Sequence, residues 1–244
     1  MAASYDVSED GTVYTFHLLE DVPWVRYNPD SGEVEQIMDA DGNPRYVTAG
    51  DFVFGWTRAL DPATASPGAY MLAPYIVGAA AFNAGEGSAE DLGFQALDDY
   101  TLEVTSPEAV GYALGIYGLG LARPVPAWAL EESGDVWTEP ENIATYGPFA
   151  LKDWTHEESI TFVKNPFWPG SVGVGQAKLD ELTIRFMDNP VQLREYEAGN
   201  MDAIFAPISE LDRLRADSTL SAELSIVPGL CSQAWGFHTK KAPF

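Results

Sequence analysis

Residues 47 to 62, Val-Thr-Ala-Gly-Asp-Phe-Val-Phe-Gly-Trp-Thr-Arg-Ala-Leu-Asp-Pro, constrain the chain most, because they specify one capped amphipathic helix with a hard stop. Thr48 stands as the N-cap, Asp51 follows three residues later in the position of a capping-box acid, and Val47 is placed to staple against Phe52. Phe52, Val53, Trp56, Ala59 and Leu60 recur at helical spacing. Pro62 ends the run, since its ring cannot continue the backbone hydrogen-bond ladder. A face this aromatic must dock on a large apolar surface, which the rest of the chain has to supply.

Strands alternating with turns are the first candidates. Val13, Thr15 and His17 alternate with Tyr14, Phe16 and Leu18, which predicts a half-buried strand after the turn Ser8-Glu9-Asp10-Gly11, with Ala3 to Val7 as its hairpin partner. His17 falls on the more polar side and reads as an exposed strand residue. Residues 22 to 46 shift to Pro, Asn, Asp and Gly, which predicts a long excursion holding a small hairpin. Within it Asp39-Ala40-Asp41-Gly42-Asn43 opens like a calcium loop but lacks the distal glutamate, so a plain turn is expected. Tyr70 to Asn83 reads as a helix broken at Pro74, and Ser88 to Leu92 as a short capped turn. Phe94 to Leu97 and Tyr100 to Thr105 read as two strands joined across Asp98-Asp99.

Further along, Ala109 to Leu121 is apolar and glycine-rich, but Gly115, Gly118 and Gly120 match neither dinucleotide-binding nor P-loop spacing. A short helix is expected over Ala127 to Ser133, and a hairpin over Phe149 to Trp154 and Ser159 to Lys164. Leu182 to Met187 is predicted as a strand, Asn189 to Ala198 as a helix capped by Gly199-Asn200, and Ala203 to Phe205 as a strand. That order implies a right-handed crossover with some parallel sheet. A helix over Ser209 to Arg215 and strands over Leu224 to Val227 and Ala234 to Thr239 complete the expectation.

Composition narrows the function. Thirteen basic against 37 acidic residues give a net charge of −24, whose field repels phosphate and disfavours nucleic acid and anionic membrane surfaces as partners. The single cysteine, Cys231, excludes an internal disulfide and a cysteine metal cluster. No apolar run reaches the roughly 18 residues of a membrane span. The first residues lack the charged and apolar parts of a signal peptide. A carboxylate hydrolase is a second class, yet adjacent acids in strands point to opposite faces, so neither Asp98-Asp99 nor Glu157-Glu158 is expected to make an acid/base dyad. No Gly-x-Ser-x-Gly elbow occurs, and His17, His156 and His238 are scattered, which argues against zinc. An enzyme is not expected, and neither is a cofactor or a metal site.

Taken in order, these motifs resemble extracellular solute-binding protein family 5, the peptide and nickel type binding proteins of ABC importers. Val7 to Leu18 is similar to the family's VSEDGLTYTFHLR, Val47 to Pro62 to VTAEDVVYSWKRALDP, and Asp98 to Val104 to DDYTLEV. Tyr146-Gly147-Pro148-Phe149 resembles NGPY, Lys164 to Trp168 resembles KNPNYW, and Glu197 to Ala203 is similar to AGELD. There are departures: Gly50 replaces an acid, Tyr146 replaces Asn, and Val22 to Tyr46 is longer than the usual passage.

The resemblance implies an α/β (mixed α+β) chain, one lobe of a type II periplasmic-binding-protein fold with an additional small β-rich subdomain. It places that subdomain at 8–145, part of the first ligand-binding lobe at 146–238, and the start of a hinge to a second lobe at 239–244, with family members extending beyond both ends of this sequence. It implies capture of oligopeptides or dipeptides between two lobes and delivery to the permease subunits of an ABC transporter. Nickel, haem, glutathione and oligosaccharide are ligands of relatives. The protein would be monomeric at full length and periplasmic or extracellular, touching the membrane only through a lipid anchor absent from this sequence. Cys231 to Phe237 and Phe205 to Ile208 would border the cleft, with Gln233, Trp235, Cys231 and Phe205 as ligand-binding residues. Tyr70 joins them by a looser match of Ser66 to Leu72 to SPYASYL, from which some peptide binders contribute a cleft tyrosine.

Overall fold

A computed structural model describes residues 1–229 and Lys240. The chain is mixed α+β and divides into two compact units, Met1–Phe186 and Met187–Phe244. The first unit runs β1 (Ala2–Val7), β2 (Val13–Leu18), β3 (Val25–Asn28), β4 (Glu33–Gln36), α1 (Ala49–Leu60), α2 (Ala69–Leu72), α3 (Ala79–Asn83), β5 (Phe94–Asp98), β6 (Thr101–Thr105), α4 (Ala113–Tyr117), α5 (Ala127–Ser133), β7 (Phe149–Thr155), β8 (Ser159–Lys164) and β9 (Glu181–Arg185). The second carries α6 (Asn189–Glu197), α7 (Leu211–Ala216) and α8 (Leu220–Glu223).

The docking surface that α1 requires is a four-stranded antiparallel sheet of order β1-β2-β6-β5. Tyr14, Leu18, Leu102, Val104 and Phe94 on this sheet share one core with Phe52, Trp56 and Leu60 of α1. The alternation expected of residues 13 to 18 holds, with Tyr14 and Leu18 buried and His17 exposed. His17 Nε2 lies 2.8 Å from Asp6 Oδ2 across the β1–β2 hairpin, an exposed cross-strand pair.

The helix start is built as its residues specify. The Thr48 N–H donates to Asp51 Oδ2 at 2.8 Å, and the indole Nε1–H of the buried Trp24 donates to the same oxygen at 3.3 Å. Burial pushes the Asp51 carboxyl above its ordinary value, opposed by the hydrogen bonds from the Thr48 N–H, Trp24 and the Thr48 hydroxyl. The Ala49 N–H, one of the orphan donors of the first turn, reaches the Asp99 carbonyl at 2.7 Å, which ties the helix start to the β5–β6 turn.

The excursion between β2 and α1 holds the β3–β4 hairpin. The Asp39 carboxylate accepts from the N–H groups of Asp41 and Asn43, both at 2.9 Å, so the loop closes on itself. Tyr70 to Asn83 is broken, as Pro74 requires, into α2, a 3-10 turn over Ala73–Tyr75, and α3. The Ser88 turn carries the expected capping box with Asp91.

A second antiparallel sheet has the order β7-β8-β9. Neither acid pair lies wholly within a strand: Thr155 pairs with Ser159, which puts Glu157 and Glu158 in the β7–β8 turn, and Asp98 ends β5 while Asp99 occupies the turn after it. The C-cap of α6 is a Schellman motif, with Gly199 at φ +77° and the Asn200 N–H donating to the Glu195 carbonyl at 2.9 Å.

Three expectations for the second unit fail. Ala203 to Phe205 and Leu224 to Val227 form no strand, and all strand pairings among the described residues are antiparallel, so the crossover with parallel sheet is absent there. A strand exists only where an edge pairs with it. These short apolar runs have no ladder partner among the described residues and leave Phe205 and Val227 exposed. The strand expected over Ala234 to Thr239 lies outside the described residues.

Candidate functional site

Of the expected ligand-binding residues, Tyr70 and Phe205 are described, whereas Cys231, Gln233 and Trp235 lie outside the described residues. Tyr70 is on α2 and is 72% exposed. In the same unit the exposed Tyr112 meets Tyr75 edge-on at 5.7 Å, with the two hydroxyl oxygens 3.3 Å apart. That hydrogen bond, together with the charge of Tyr75, pushes the Tyr112 phenol above its usual range. In the second unit, Phe205 is 83% and Ile208 87% exposed, on either side of Pro207. Apolar side chains this exposed bury little against their own unit and suit contact with a ligand or another surface.

The first unit also contains a half-enclosed cavity of about 310 Å³ that sequence reasoning missed. Its walls include Phe16, Trp56, Tyr117, Tyr146 and Trp168, and among the described residues Arg123 is the only charged side chain lining it. Elements far apart in sequence build these walls. Tyr117 stacks on Trp56 at 5.8 Å and meets Phe16 edge-on at 6.1 Å. The Tyr146 ring stands edge-on to Trp24 at 5.2 Å.

Two anchors hold the cavity's rim. The buried Asn165 donates from Nδ2 to the Gly147 carbonyl at 2.8 Å and from its backbone N–H to the Pro148 carbonyl at 2.9 Å, which binds the Trp168 loop to the turn before β7. On the other side, the Trp56 indole donates to the Ala122 carbonyl at 2.8 Å, and the Val125 N–H donates to the Asp51 carbonyl at 3.1 Å. Gly55 permits this close approach, because a Cβ there would stand 2.9 Å from the Arg123 carbonyl oxygen. The backbone of Arg123 is therefore pinned against α1. The sequence signals were present but local: one cation in an apolar run at 119–126, and the aromatics of Tyr146-Gly147-Pro148-Phe149 and Asn165-Pro166-Phe167-Trp168.

No group of three or more His, Cys, Asp or Glu side chains is arranged to hold a metal ion among the described residues. Asp98 is engaged in its turn, accepting from the Tyr100 N–H at 2.8 Å and the Thr101 hydroxyl at 3.0 Å. The His156 ring lies tilted against Trp154, with ring centroids 4.0 Å apart, and approaches Glu139 at 3.1 Å, which makes it a clasp at the hairpin turn. No helix among the described residues is long and apolar enough to cross a membrane.

Two neighbouring antiparallel sheets with a capped aromatic helix, followed by a helical unit with exposed apolar residues, define the mixed α+β class found in periplasmic binding proteins. The chain belongs to the bacterial extracellular solute-binding proteins, family 5, whose model (family 5 Middle) matches residues 1–244. It is 35% identical over 242 residues to the periplasmic oligopeptide-binding protein OppA of Salmonella typhimurium, covering 97% of this chain and 40% of that protein. It is 34% identical over 245 residues to the probable deoxycholate-binding periplasmic protein YgiS of Escherichia coli, covering all of this chain and 42% of that one. Among solved structures, Haemophilus influenzae OppA in complex with RPPGFSPFR matches with a TM-score of 0.73 and 29% identity, over 88% of this chain and 39% of that one. The chain thus spans about two fifths of the length of these relatives.

Proposed function

We propose that this protein, at its natural full length, is the substrate-binding component of an ABC importer that captures oligopeptides or dipeptides between two lobes and delivers them to a membrane permease. The observation that carries this reading is the end-to-end match of the chain to oligopeptide-binding relatives. Residues 8–145 are assigned to a scaffold subdomain, 146–238 to the first ligand-binding lobe, and 239–244 to the approach to a hinge.

An extended peptide offers a regular row of backbone donors and acceptors, so a binder gains sequence-tolerant affinity from main-chain hydrogen bonds and closes by hinge motion. Gln233 supplies an amide to that row, and Trp235, Phe205 and Tyr70 supply apolar contact area, with Cys231 on the same run as Gln233 and Trp235. The exposure of Tyr70 and Phe205 supports these two assignments. The protein acts as a binder, not an enzyme. It works in the periplasm or at the cell surface, as a monomer held to the membrane by a lipid anchor.

Isothermal titration calorimetry on the ligand-stripped, full-length protein with tri- to pentapeptides tests this reading. Saturable binding without hydrolysis is expected, with at least about tenfold weaker affinity in Trp235→Ala and in Gln233→Ala. Absence of peptide binding overturns the functional reading. Unchanged affinity in both variants overturns the residue assignment.

A further inference from the structure

We propose that the cavity of the first unit is a second ligand site, built to take a small apolar monoanion: a flat or aliphatic body of one or two rings carrying a single carboxylate or sulfonate, seated against the aromatic walls with its anion on Arg123. Tyr70 is not among the described residues that line this cavity.

Size and lining come first. At about 310 Å³ the cavity lies at the lower end of the range of small-molecule pockets, which are mainly apolar with a few placed polar groups. Phe16, Trp56, Tyr117 and Trp168 provide the apolar part.

Charge comes second. In a chain with 13 basic and 37 acidic residues, Arg45, Arg213 and Arg215 each reach a carboxylate. Among the described residues Arg123 forms no ion pair, and its side chain is exposed at the cavity's edge. Arg123 and Tyr146 line the same cavity, and the guanidinium draws the Tyr146 phenol down against the larger effect of burial. Burial raises the Tyr146 phenol above its usual value, so the hydroxyl keeps its proton at neutral pH and can donate to the same anion. The pinned backbone of Arg123 reduces the ordering that binding requires.

The lining also says what does not fit. A zwitterionic peptide would bring its ammonium group into a cavity with no carboxylate side chain among its described lining residues. The net charge of −24 opposes any anion at long range, but at physiological salt charges beyond about 8 Å are largely screened, which leaves Arg123 to decide.

The test uses the full-length, ligand-stripped protein and two fluorescent probes of similar shape: anionic 8-anilinonaphthalene-1-sulfonate and neutral N-phenyl-1-naphthylamine. Saturable one-to-one binding of the anion is expected. Arg123→Gln, at an exposed position, should weaken the anionic probe about tenfold and the neutral one less than about twofold. Val174→Trp, a cavity-filling change at a partly exposed lining residue, should abolish both. Saturating trialanine should displace neither, so loss of peptide binding and loss of probe binding are separable. The proposal is overturned if the anion does not bind at one saturable site, if Arg123→Gln weakens both probes equally or neither, if Val174→Trp leaves binding intact, or if trialanine competes.

Discussion

The carboxylate of Asp51 accepts a hydrogen bond from the indole of Trp24, at 3.3 Å, while capping the helix in whose first turn Asp51 stands. One side chain thus joins the excursion after β2 to the start of α1, 27 residues later in the sequence. Removing it in Asp51→Ala leaves the Thr48 N–H and the buried Trp24 Nε1–H without their acceptor. A loss of about 2–3 kcal/mol is expected, read from the urea unfolding midpoint at unchanged slope.

The pH dependence of that effect has a definite sign. Burial raises the folded-state value of Asp51 above the ordinary 3.8, so the native state binds more protons than the unfolded one between the two values. Its contribution to stability therefore falls as pH rises through that window and is constant outside it. Asp51→Asn should cost most in acid and less at neutral pH, which paired urea titrations at pH 3.5 and pH 7 can measure. A cost independent of pH contradicts the desolvation of this carboxyl.

Asp98 should behave oppositely. The Tyr100 N–H and the Thr101 hydroxyl hold its carboxyl below 3.8 in the folded state. Its stabilising contribution is complete above that value and is lost as pH falls through the lowered one. The stability difference between wild type and Asp98→Asn should therefore be present at neutral pH and vanish in acid. A difference that grows in acid would refute the assignment.

Gly55→Ala is expected to invert the usual rule for helix interiors. Alanine normally gains about 1 kcal/mol over glycine within a helix. Here the new Cβ would stand 2.9 Å from the Arg123 carbonyl and 3.1 Å from the Val125 nitrogen, both backbone atoms. A net loss of about 1–3 kcal/mol is expected by thermal or urea unfolding, with stabilisation as the contrary result.

Asn165→Ala removes the amide that binds the Gly147 carbonyl and the side-chain oxygen that accepts from the Phe167 N–H at 2.9 Å. Because Asn165 is 4% exposed, both partners lose a part-buried hydrogen bond, and a cost of about 2–3 kcal/mol is expected. Amide exchange at Phe167 and Trp168 should accelerate more than at Trp56. Equal acceleration would show a global rather than a local role.

Local signals in the chain were enough for local structure. Thr48, Asp51 and Pro62 determined α1 because a cap, a capping acid and a proline act within one or two turns of backbone. For the same reason Ala127 to Ser133 and the two strands of the β7–β8 hairpin were legible, along with the Gly199-Asn200 cap. The ordered motifs also carried the family. Strand status at Ala203 to Phe205 and Leu224 to Val227 was not legible, since it depends on a partner edge elsewhere and not on the residues themselves.

The cavity was legible least of all. Arg123 is an unremarkable cation in its own segment, and Trp168 sits in a loop with no periodicity. They meet because Gly55, Trp56 and Asn165 draw separate backbones together through close approach and buried hydrogen bonds. Sequence alone determined α1 and the hairpins, their caps and the family, because those are set by interactions within a few residues or by the order of motifs. Only tertiary structure decided what α1 docks on and which side chains share a cavity, because packing joins residues that no local spacing relates.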